Sequence, residues 1–233
     1  MLNVPVDLTA NLARVQDAIA EAAIACGRRP EEIRLVGVSK TRPAEMLAGA
    51  ARAGLRHLGE NRVQEAAEKF PVVRGLLSDV GMPVCHLVGH LQTNKASAAV
   101  ALFDRIDSVD SVKLAEALAR RVHGRVLPVL IEVYVGDDPG RPGVKLEELV
   151  DTVGQILEVP GLRVEGLMTV APLGGDARAA FAAVRKQKQI ISKAFPAVHF
   201  GVLSMGMSDD YREAIREGST EVRIGTALFG PRK

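Results

Sequence analysis

Short β-branched runs alternate with longer amphipathic segments along this chain, and the alternation repeats eight times after a first helical pattern at about Leu8–Cys26. The helical patterns that follow include Ala44–Ala53, Leu114–Val122, Leu146–Leu157, Ala177–Phe195 and Asp209–Glu217. The predicted strands are Ile33–Ser39, His57–Glu60, Val84–Val88, Arg105–Ser108, Leu127–Val135, Arg163–Val170, His199–Met205 and Glu221–Gly225. Eight such units predict an α/β fold, a (β/α)8 TIM barrel with an extra N-terminal helix.

An open, doubly wound sheet is the alternative architecture. Both folds explain near-continuous apolar strands such as LVGVS and VLPVLIEVYV, which suit burial on both faces of a parallel sheet. However, no G-x-G-x-x-G follows the first predicted strand, and the last strand ends in the glycine-bearing turn RIGTALFG, of the kind with which barrels hold phosphate. We therefore favour the barrel, as one domain over residues 1–233 with residues 1–30 as an N-terminal helical extension.

Composition and charge exclude several classes of protein. The 30 basic and 28 acidic residues are interleaved and only 3% of residues are aromatic, so the features of a nucleic-acid binder are missing. No apolar window is long enough for a membrane helix or a secretory signal. Cys26 and Cys85 form no disulfide or zinc pattern, and His86 and His90 lack a third ligand. We expect a cytoplasmic monomer that binds neither membranes nor metal.

In a barrel, ligands bind at the C-terminal ends of the strands, so polar residues there are candidates for a functional site. Lys40 follows the first predicted strand. Because the apolar run before it would hold its stem at the barrel mouth, desolvation would favour the neutral amine that a Schiff base with an aldehyde needs. The ordinary alternative is a solvated lysine that opens a loop. The other polar residues at strand ends are Glu60, Asn61, His90, Gln92, Ser204 and Arg223.

The segment Ser219–Gly230 carries small residues whose backbone N–H groups can approach an anion closely. Gly225 and Thr226 are therefore candidate phosphate-binding residues, and the hydroxyl of Ser204 in a neighbouring turn would add a donor. The alternative is that the glycines only form turns. Shortly after Ser204, the segment Ser208–Asp210 is predicted as a helix N-cap with acidic residues in the first turn.

Arg223 lies two residues before Gly225 on the same face of the strand, so its side chain is predicted to point into the barrel mouth. A buried arginine needs a partner. Beside the ring nitrogen of a pyridine aldehyde phosphate, a guanidinium would keep that nitrogen unprotonated, because two positive charges repel. The alternative is an ion pair with a strand carboxylate such as Glu132 or Glu165.

Six ordered motifs carry a family resemblance over nearly the whole chain. The sequence resembles the pyridoxal phosphate homeostasis protein family, whose members are similar to the N-terminal barrel domain of alanine racemases. The motifs are LVGVSKTRP at Leu35–Pro43, HLGENRVQE at His57–Glu65, HLVGHLQTNK at His86–Lys95, GLMTVAP at Gly166–Pro172, LSMGMSDD at Leu203–Asp210 and STEVRIGTALFG at Ser219–Gly230.

The resemblance implies that pyridoxal 5′-phosphate is held as a Schiff base of Lys40, with its phosphate at Ser204, Gly225 and Thr226, its pyridine nitrogen facing Arg223 and its ring near Asn61. One segment departs from the family. Where relatives usually have an asparagine after the fifth strand and a Glu-x-x-Lys-x-Gly loop, this chain reads IEVYVGDDPGRPG. Arg141 stands near the expected loop lysine, so the role of the loop Gly136–Gly143 stays open.

Two functions remain. In the first, the protein is a carrier without catalytic turnover that maintains intracellular vitamin B6 and supplies the cofactor to apo-enzymes. In the second, it is an amino-acid racemase of weak activity, which needs an acid/base on each face of the substrate. Lys40 can serve one face, and only Tyr134 and Tyr211 are available for the other. An aldolase that uses Lys40 leaves Arg223 unexplained.

Overall fold

The computed structural model describes residues 6–136 and 140–231. Within these residues the strands are β1 (Arg34–Val38), β2 (His57–Glu60), β3 (Val84–Leu87), β4 (Arg105–Val109), β5 (Leu127–Tyr134), β6 (Val144–Lys145), β7 (Leu162–Thr169), β8 (Val202–Ser204) and β9 (Glu221–Ile224). The helices are α1 (Leu8–Ile24), α2 (Ala44–Arg52), α3 (Val63–Leu76), α4 (Ala96–Leu102), α5 (Val112–Ala119), α6 (Leu149–Leu157), α7 (Ala177–Ala194), α8 (Tyr211–Arg216) and α9 (Thr226–Phe229). None of these described helices has the length and apolar character needed to cross a bilayer.

Eight of the strands close into a parallel barrel. Pairing runs in chain order from β1 to β5, continues from β5 to β7, β8 and β9, and returns from β9 to β1. The two-residue strand β6 pairs with Val133 and Tyr134 at the end of β5, beyond the residues that pair with β4. The predicted (β/α)8 barrel is confirmed. Strand β6 is an addition that is too short to produce a hydrophobic period in the sequence.

The helices pack around the barrel through two apolar clusters. The larger cluster includes Phe70, Phe103 and Phe181, all fully buried. The second cluster joins α1 and α2 to β1 and β9. Helix α1 begins after Asp7, whose side chain accepts a hydrogen bond of 2.9 Å from the N–H of Ala10. The predicted N-terminal helix therefore exists and packs against the barrel.

Charged and imidazole side chains fill the barrel interior near its N-terminal end. This floor network consists of Arg34, His57, His86, Arg105, Asp107 and Glu221. Nε of Arg105 lies 2.6 Å from Oδ1 of Asp107, and its Nη2 lies 2.5 Å from Oε1 of Glu221. Burial alone would raise the pKa of Asp107. The nearby Arg105 and His86 lower the pKa by more than burial raises it, so the pKa stays below its ordinary value. Each buried carboxylate of the network thus has a guanidinium partner.

Candidate functional site

Lys40, Arg223, Gly225 and Thr226 line one cavity of about 240 Å³ at the C-terminal end of the barrel. They come from the ends of β1 and β9, which are paired neighbours in the sheet. The remaining lining residues are Val38, Arg42, Met207, Ser208 and Asp209. Because three cationic side chains and one carboxylate surround the cavity, it suits an anionic group.

Lys40 follows β1 by two residues and is half-buried. The β1–β2 register pairs Val38 with Gly59, and the same register continued by two residues puts Asn61 level with Lys40. Asn61 is not among the residues that line the cavity, but its Oδ1 is buried and has no hydrogen-bond partner among the described residues. A buried amide oxygen without a partner is costly, so it marks a place where a ligand or water is expected to donate.

Arg223 is buried at 4% exposure, as its parity on β9 predicts. Its Nη1 donates to the carbonyl oxygen of Ser204 at 2.7 Å, and its Nη2 donates to that of Thr169 at 2.8 Å. Among the described residues no ion pair joins Arg223 to Glu132 or Glu165, the alternative partners that its sequence position suggests. Main-chain carbonyls therefore hold the guanidinium in place and leave its charge without a directly bonded carboxylate.

Ser204 lies beneath the cavity rather than in its lining. The residue is fully buried, and its hydroxyl oxygen accepts a hydrogen bond of 2.9 Å from Nη1 of Arg223. Through this contact Ser204 helps to hold the guanidinium of Arg223 in place. Its predicted role as a phosphate ligand stays a prediction.

The turn between β8 and α8 brings Ser208 to the cavity. It depends on Gly206, whose φ of +96° is left-handed and whose missing Cβ would lie 2.6 Å from Cβ of Ala214. Helix α8 begins at Tyr211, so the aspartates predicted for its first turn precede it and Asp210 is the N-cap residue. The Asp210 carboxylate accepts a hydrogen bond from the preceding Met207 N–H instead of capping α8. Sequence reasoning missed Ser208 as a cavity residue. The glycine in LSMGMS, which turns the chain back between two serines, is the signal that could have found it.

Glu132 on β5 carries another buried oxygen, Oε2, without a hydrogen-bond partner among the described residues. Burial and the nearby Asp110 raise its pKa to about 7, while the charges of Arg223 and Arg141 act in the opposite direction. Glu132 thus lies within electrostatic range of Arg223 without bonding to it. The carboxyl group adds a proton-holding side chain to the barrel interior near the candidate site.

We expect Glu132→Gln to change how the stability of the unliganded protein depends on pH. Between pH 4.5 and about 7 the folded chain keeps a proton on Glu132 that the unfolded chain releases. The free energy of unfolding therefore falls as the pH rises through this window. The glutamine variant cannot release this proton, so its free energy of unfolding does not fall in this way. Relative to wild type, its free energy of unfolding should be about 2 kcal/mol higher at about pH 8 than it is at about pH 5.

Urea unfolding at the two pH values measures this difference. Glu147→Gln is the matched control, because Glu147 is exposed and should give the pH dependence of the wild type. If Glu132→Gln also gave the wild-type pH dependence, Glu132 would not hold the proton.

The two tyrosines occupy different environments. Tyr211 begins α8 and packs against the second apolar cluster, on the α1 side of the barrel. Tyr134 ends β5, and its hydroxyl lies so close to Gly136 that a Cβ there would be 2.9 Å away. Of the predicted loop Gly136–Gly143, residues 137–139 lie outside the described residues, and Arg141 is exposed.

His86 and His90 are not brought together. His86 belongs to the floor network, whereas the side chain of His90 is 49% exposed. Among the described residues, ligand atoms of His86, Asp107 and Glu221 lie within 4.8 Å of one another, as a cation would require. Because Arg105 already bonds both carboxylates, the positive charge at this position is supplied by the protein.

A larger cavity of about 860 Å³ opens at the opposite end of the barrel. Its charged lining includes Arg34, Arg163 and Glu165. In this fold ligands bind at the C-terminal ends of the strands, while the N-terminal face serves stability. The smaller cavity beside Lys40 is therefore the candidate functional site.

Comparison with known proteins agrees with this geometry. Residues 10–233 match the family model for the N-terminal domain of alanine racemase. A pyridoxal phosphate homeostasis protein from Escherichia coli is 38% identical over an alignment of 231 residues, which covers 97% of this chain and 97% of its own. Two structures of PipY from Synechococcus elongatus, one without PLP and one with PLP bound, are 37% and 39% identical to this chain. They cover 96% and 91% of this chain and 100% of their own, with TM-scores of 0.84 and 0.79.

The match to that family model over residues 10–233 puts this barrel in the class of the alanine racemase N-terminal domain. The lysine after β1 at the rim of a cationic cavity agrees with this class. The identity to full-length relatives narrows the class. The chain belongs to the pyridoxal phosphate homeostasis protein family, and the resemblance stated from the six motifs is confirmed.

Proposed function

We propose that this chain binds pyridoxal 5′-phosphate and acts in intracellular vitamin B6 homeostasis as a carrier that supplies apo-enzymes. The observation that carries the proposal is the grouping of Lys40 with Arg223, Gly225 and Thr226 around one cavity. The relatives are named for pyridoxal phosphate homeostasis, and PipY is described with PLP bound. The cofactor combines a phosphate, an aldehyde and a ring nitrogen, and the cavity offers a matching residue for each.

The phosphate would be bound by Gly225, Thr226 and Ser208, close to the positive charge of Arg42. A Cβ on Gly225 would lie 3.1 Å from the carbonyl oxygen of Val38, so a larger residue would push into β1. Cationic side chains and hydroxyls are the groups that proteins use to bind phosphate. The donor set therefore fits this end of the cofactor.

Arg223 would face the ring nitrogen and keep it unprotonated. An unprotonated ring withdraws electrons less strongly, which favours holding the cofactor over turning over a substrate. The two carbonyl contacts from Ser204 and Thr169 already fix the guanidinium, so little ordering is needed when the cofactor binds. Asn61, with its unpartnered Oδ1, is the residue proposed to contact a polar substituent of the ring.

Lys40 is the residue proposed to hold the cofactor covalently. The neutral amine of Lys40 would form a Schiff base with the aldehyde of pyridoxal phosphate, and the aldehyde oxygen would leave as water. Lys40 is the lysine in the lining of the cavity, and the end of β1 presents it at the barrel mouth.

An amino-acid racemase of weak activity is the alternative. It requires a second acid/base opposite Lys40. Tyr211 packs on the α1 side of the barrel, so the alternative depends on Tyr134, whose hydroxyl lies beside Gly136. The position of Tyr134 against its own loop favours the carrier.

Cofactor transfer separates the two functions. Loaded protein is mixed with the apo form of a pyridoxal-phosphate enzyme in the presence of a phosphatase that destroys free cofactor, and recovery of the recipient's activity is followed. The carrier predicts recovery and no loss of optical purity when L-amino acids are incubated with the loaded protein in deuterium oxide. Exchange of the α-proton that is abolished by Tyr134→Phe would support the racemase and contradict the carrier.

We further propose that residues 1–233 work as a single-domain cytoplasmic monomer that meets apo-enzymes transiently, with residues 1–30 as its N-terminal extension. A closed barrel leaves no long unpaired sheet edge through which copies would associate. Light scattering on the loaded protein, alone and with a recipient enzyme, tests the monomer and the transient contact.

A further inference from the structure

A largely buried lysine lies outside the barrel wall, directly behind the segment that carries Lys40. This residue, Lys69 on α3, has a side chain that is only 11% exposed. Its Nζ donates to the carbonyl oxygen of Ser39 and to Oε1 of Glu60, both at 2.9 Å. The same Nζ lies 2.5 Å from Oε1 of Glu65, one helical turn earlier. One ammonium group therefore ties α3 to the chain at the end of β1 and to the end of β2.

The contacts of this cluster reach both residues that flank Lys40. On one side, the hydroxyl of Ser39 donates to Oε1 of Glu60 at 2.7 Å, while its carbonyl accepts from Lys69. On the other side, the N–H of Thr41 donates to Oε1 of Glu65. Thr41 has a φ of +64°, a left-handed conformation that residues with a Cβ adopt at a cost. Such a conformation persists only where neighbouring contacts enforce it, and the bond to Glu65 is such a contact.

We propose that Lys69 is a positioning residue for Lys40. By holding the backbone on both sides of Lys40, directly at Ser39 and through Glu65 at Thr41, it sets the direction in which the Lys40 amine leaves the end of β1. Lys69 does not line the cavity, so its effect reaches the site through the backbone. The proposal deepens the function proposed above and rests on Lys40 as the residue that forms the Schiff base.

Lys69 also compensates the charge of the buried Glu60. A variant that lacks Lys69 alone could therefore lose stability as well as the position of Lys40, and the two effects could not be separated. The Glu60 side chain is fully buried, and its Oε2 has no hydrogen-bond partner among the described residues. Burial raises the pKa of Glu60 above its ordinary value, although the hydrogen bonds from Lys69 and Ser39 lower it. The informative variant is therefore Lys69→Met combined with Glu60→Gln, which removes both charges and keeps an acceptor for the Ser39 hydroxyl.

The test compares wild type, this double variant, Lys69→Arg as the conservative rescue, and Lys113→Met as an exposed-lysine control. In cofactor-free protein, acetic anhydride labelling of Lys40 relative to the exposed Lys145 is measured by mass spectrometry. After mixing with pyridoxal phosphate, the rate of Schiff-base formation is followed by absorbance. We expect the rate to fall about tenfold and the labelling ratio to change about threefold in the double variant, with an unchanged urea midpoint.

If Lys69→Arg shows the wild-type rate of Schiff-base formation and the wild-type labelling ratio, the positive charge at position 69 is what positions Lys40. An unchanged rate and labelling ratio in the folded double variant would overturn the proposal. A wild type that forms no Schiff base would instead refute the function proposed for Lys40, and the labelling ratio in cofactor-free protein would still decide whether Lys69 positions that residue.

Discussion

Lys40→Ala is expected to abolish covalent retention of pyridoxal phosphate. In wild-type protein, borohydride should convert the Schiff base to a stable amine, and digestion should find the cofactor mass on the peptide that contains Lys40. The variant keeps Arg42, Arg223 and the small residues of the cavity, so it retains phosphate contacts but loses the bond. We expect at least about a tenfold weaker retention on gel filtration and no borohydride-fixed label.

Lys145→Ala is the matched control, because Lys145 on β6 is exposed and lies outside the cavity lining. It should keep the absorbance band and the label of wild type. Label that survives in Lys40→Ala would show that another lysine forms the bond. An identical fall in Lys145→Ala would point to a general effect of surface charge.

Arg105→Met is expected to lower the free energy of unfolding more than any other variant proposed for this protein. Arg105 is buried and bonds the two fully buried carboxylates of Asp107 and Glu221. Removal of the cation leaves these carboxylates without their shared partner, and breaking a buried ion pair in this way costs about 3–5 kcal/mol. Urea unfolding should show a correspondingly lower midpoint. Arg163→Met is the control, because its pair with Glu165 is 60% exposed on the arginine side and should contribute less than about 1 kcal/mol.

The deficit of Arg105→Met should depend on pH. In wild type the pKa of Asp107 is depressed, so its stabilising effect is complete above the unfolded pKa near 3.8 and is lost as the pH falls through the lower folded value. Without Arg105, burial would raise the pKa of Asp107 above its unfolded value, so the variant would gain stability as the carboxylate takes up a proton. The deficit relative to wild type should therefore shrink as the pH falls from about 7 to about 4. A constant deficit over this range would mean that packing, rather than charge, explains the loss. Addition of Asp107→Asn and Glu221→Gln to the variant should restore part of the stability.

Much of the barrel and part of the site could be predicted because they depend on local patterns. Strands such as β1 and β5 are apolar runs, and the residues that follow a strand reach the rim whatever the neighbouring strands are. Lys40, Gly225 and Thr226 follow their strands in this simple way, and Arg223 could be assigned to the interior by parity. These residues come together once the eight units close.

The remaining features depend on contacts between segments far apart in the chain. The turn at Gly206 decides that Ser208, and not Ser204, reaches the cavity. The floor network joins the first residues of four strands to His86 and Asp107, the third residues of β3 and β4. In the sequence all six read as ordinary polar positions near strand starts. The contact of Lys69 with Ser39 joins residues 30 apart, and no local period reveals it.

The floor network has a consequence for the order in which the chain can be assembled. Arg105 and its partner Glu221 are separated by 116 residues, and Arg34 and Glu221 by 187. Until the last strand is made, Arg34 lacks its carboxylate partner and Arg105 has only Asp107, so the earlier strands would enclose an excess of positive charge. Synthesis on the ribosome therefore delivers the neutralising residue after all the other described strands. We expect this barrel to complete in one cooperative step once β9 has been made, rather than strand by strand.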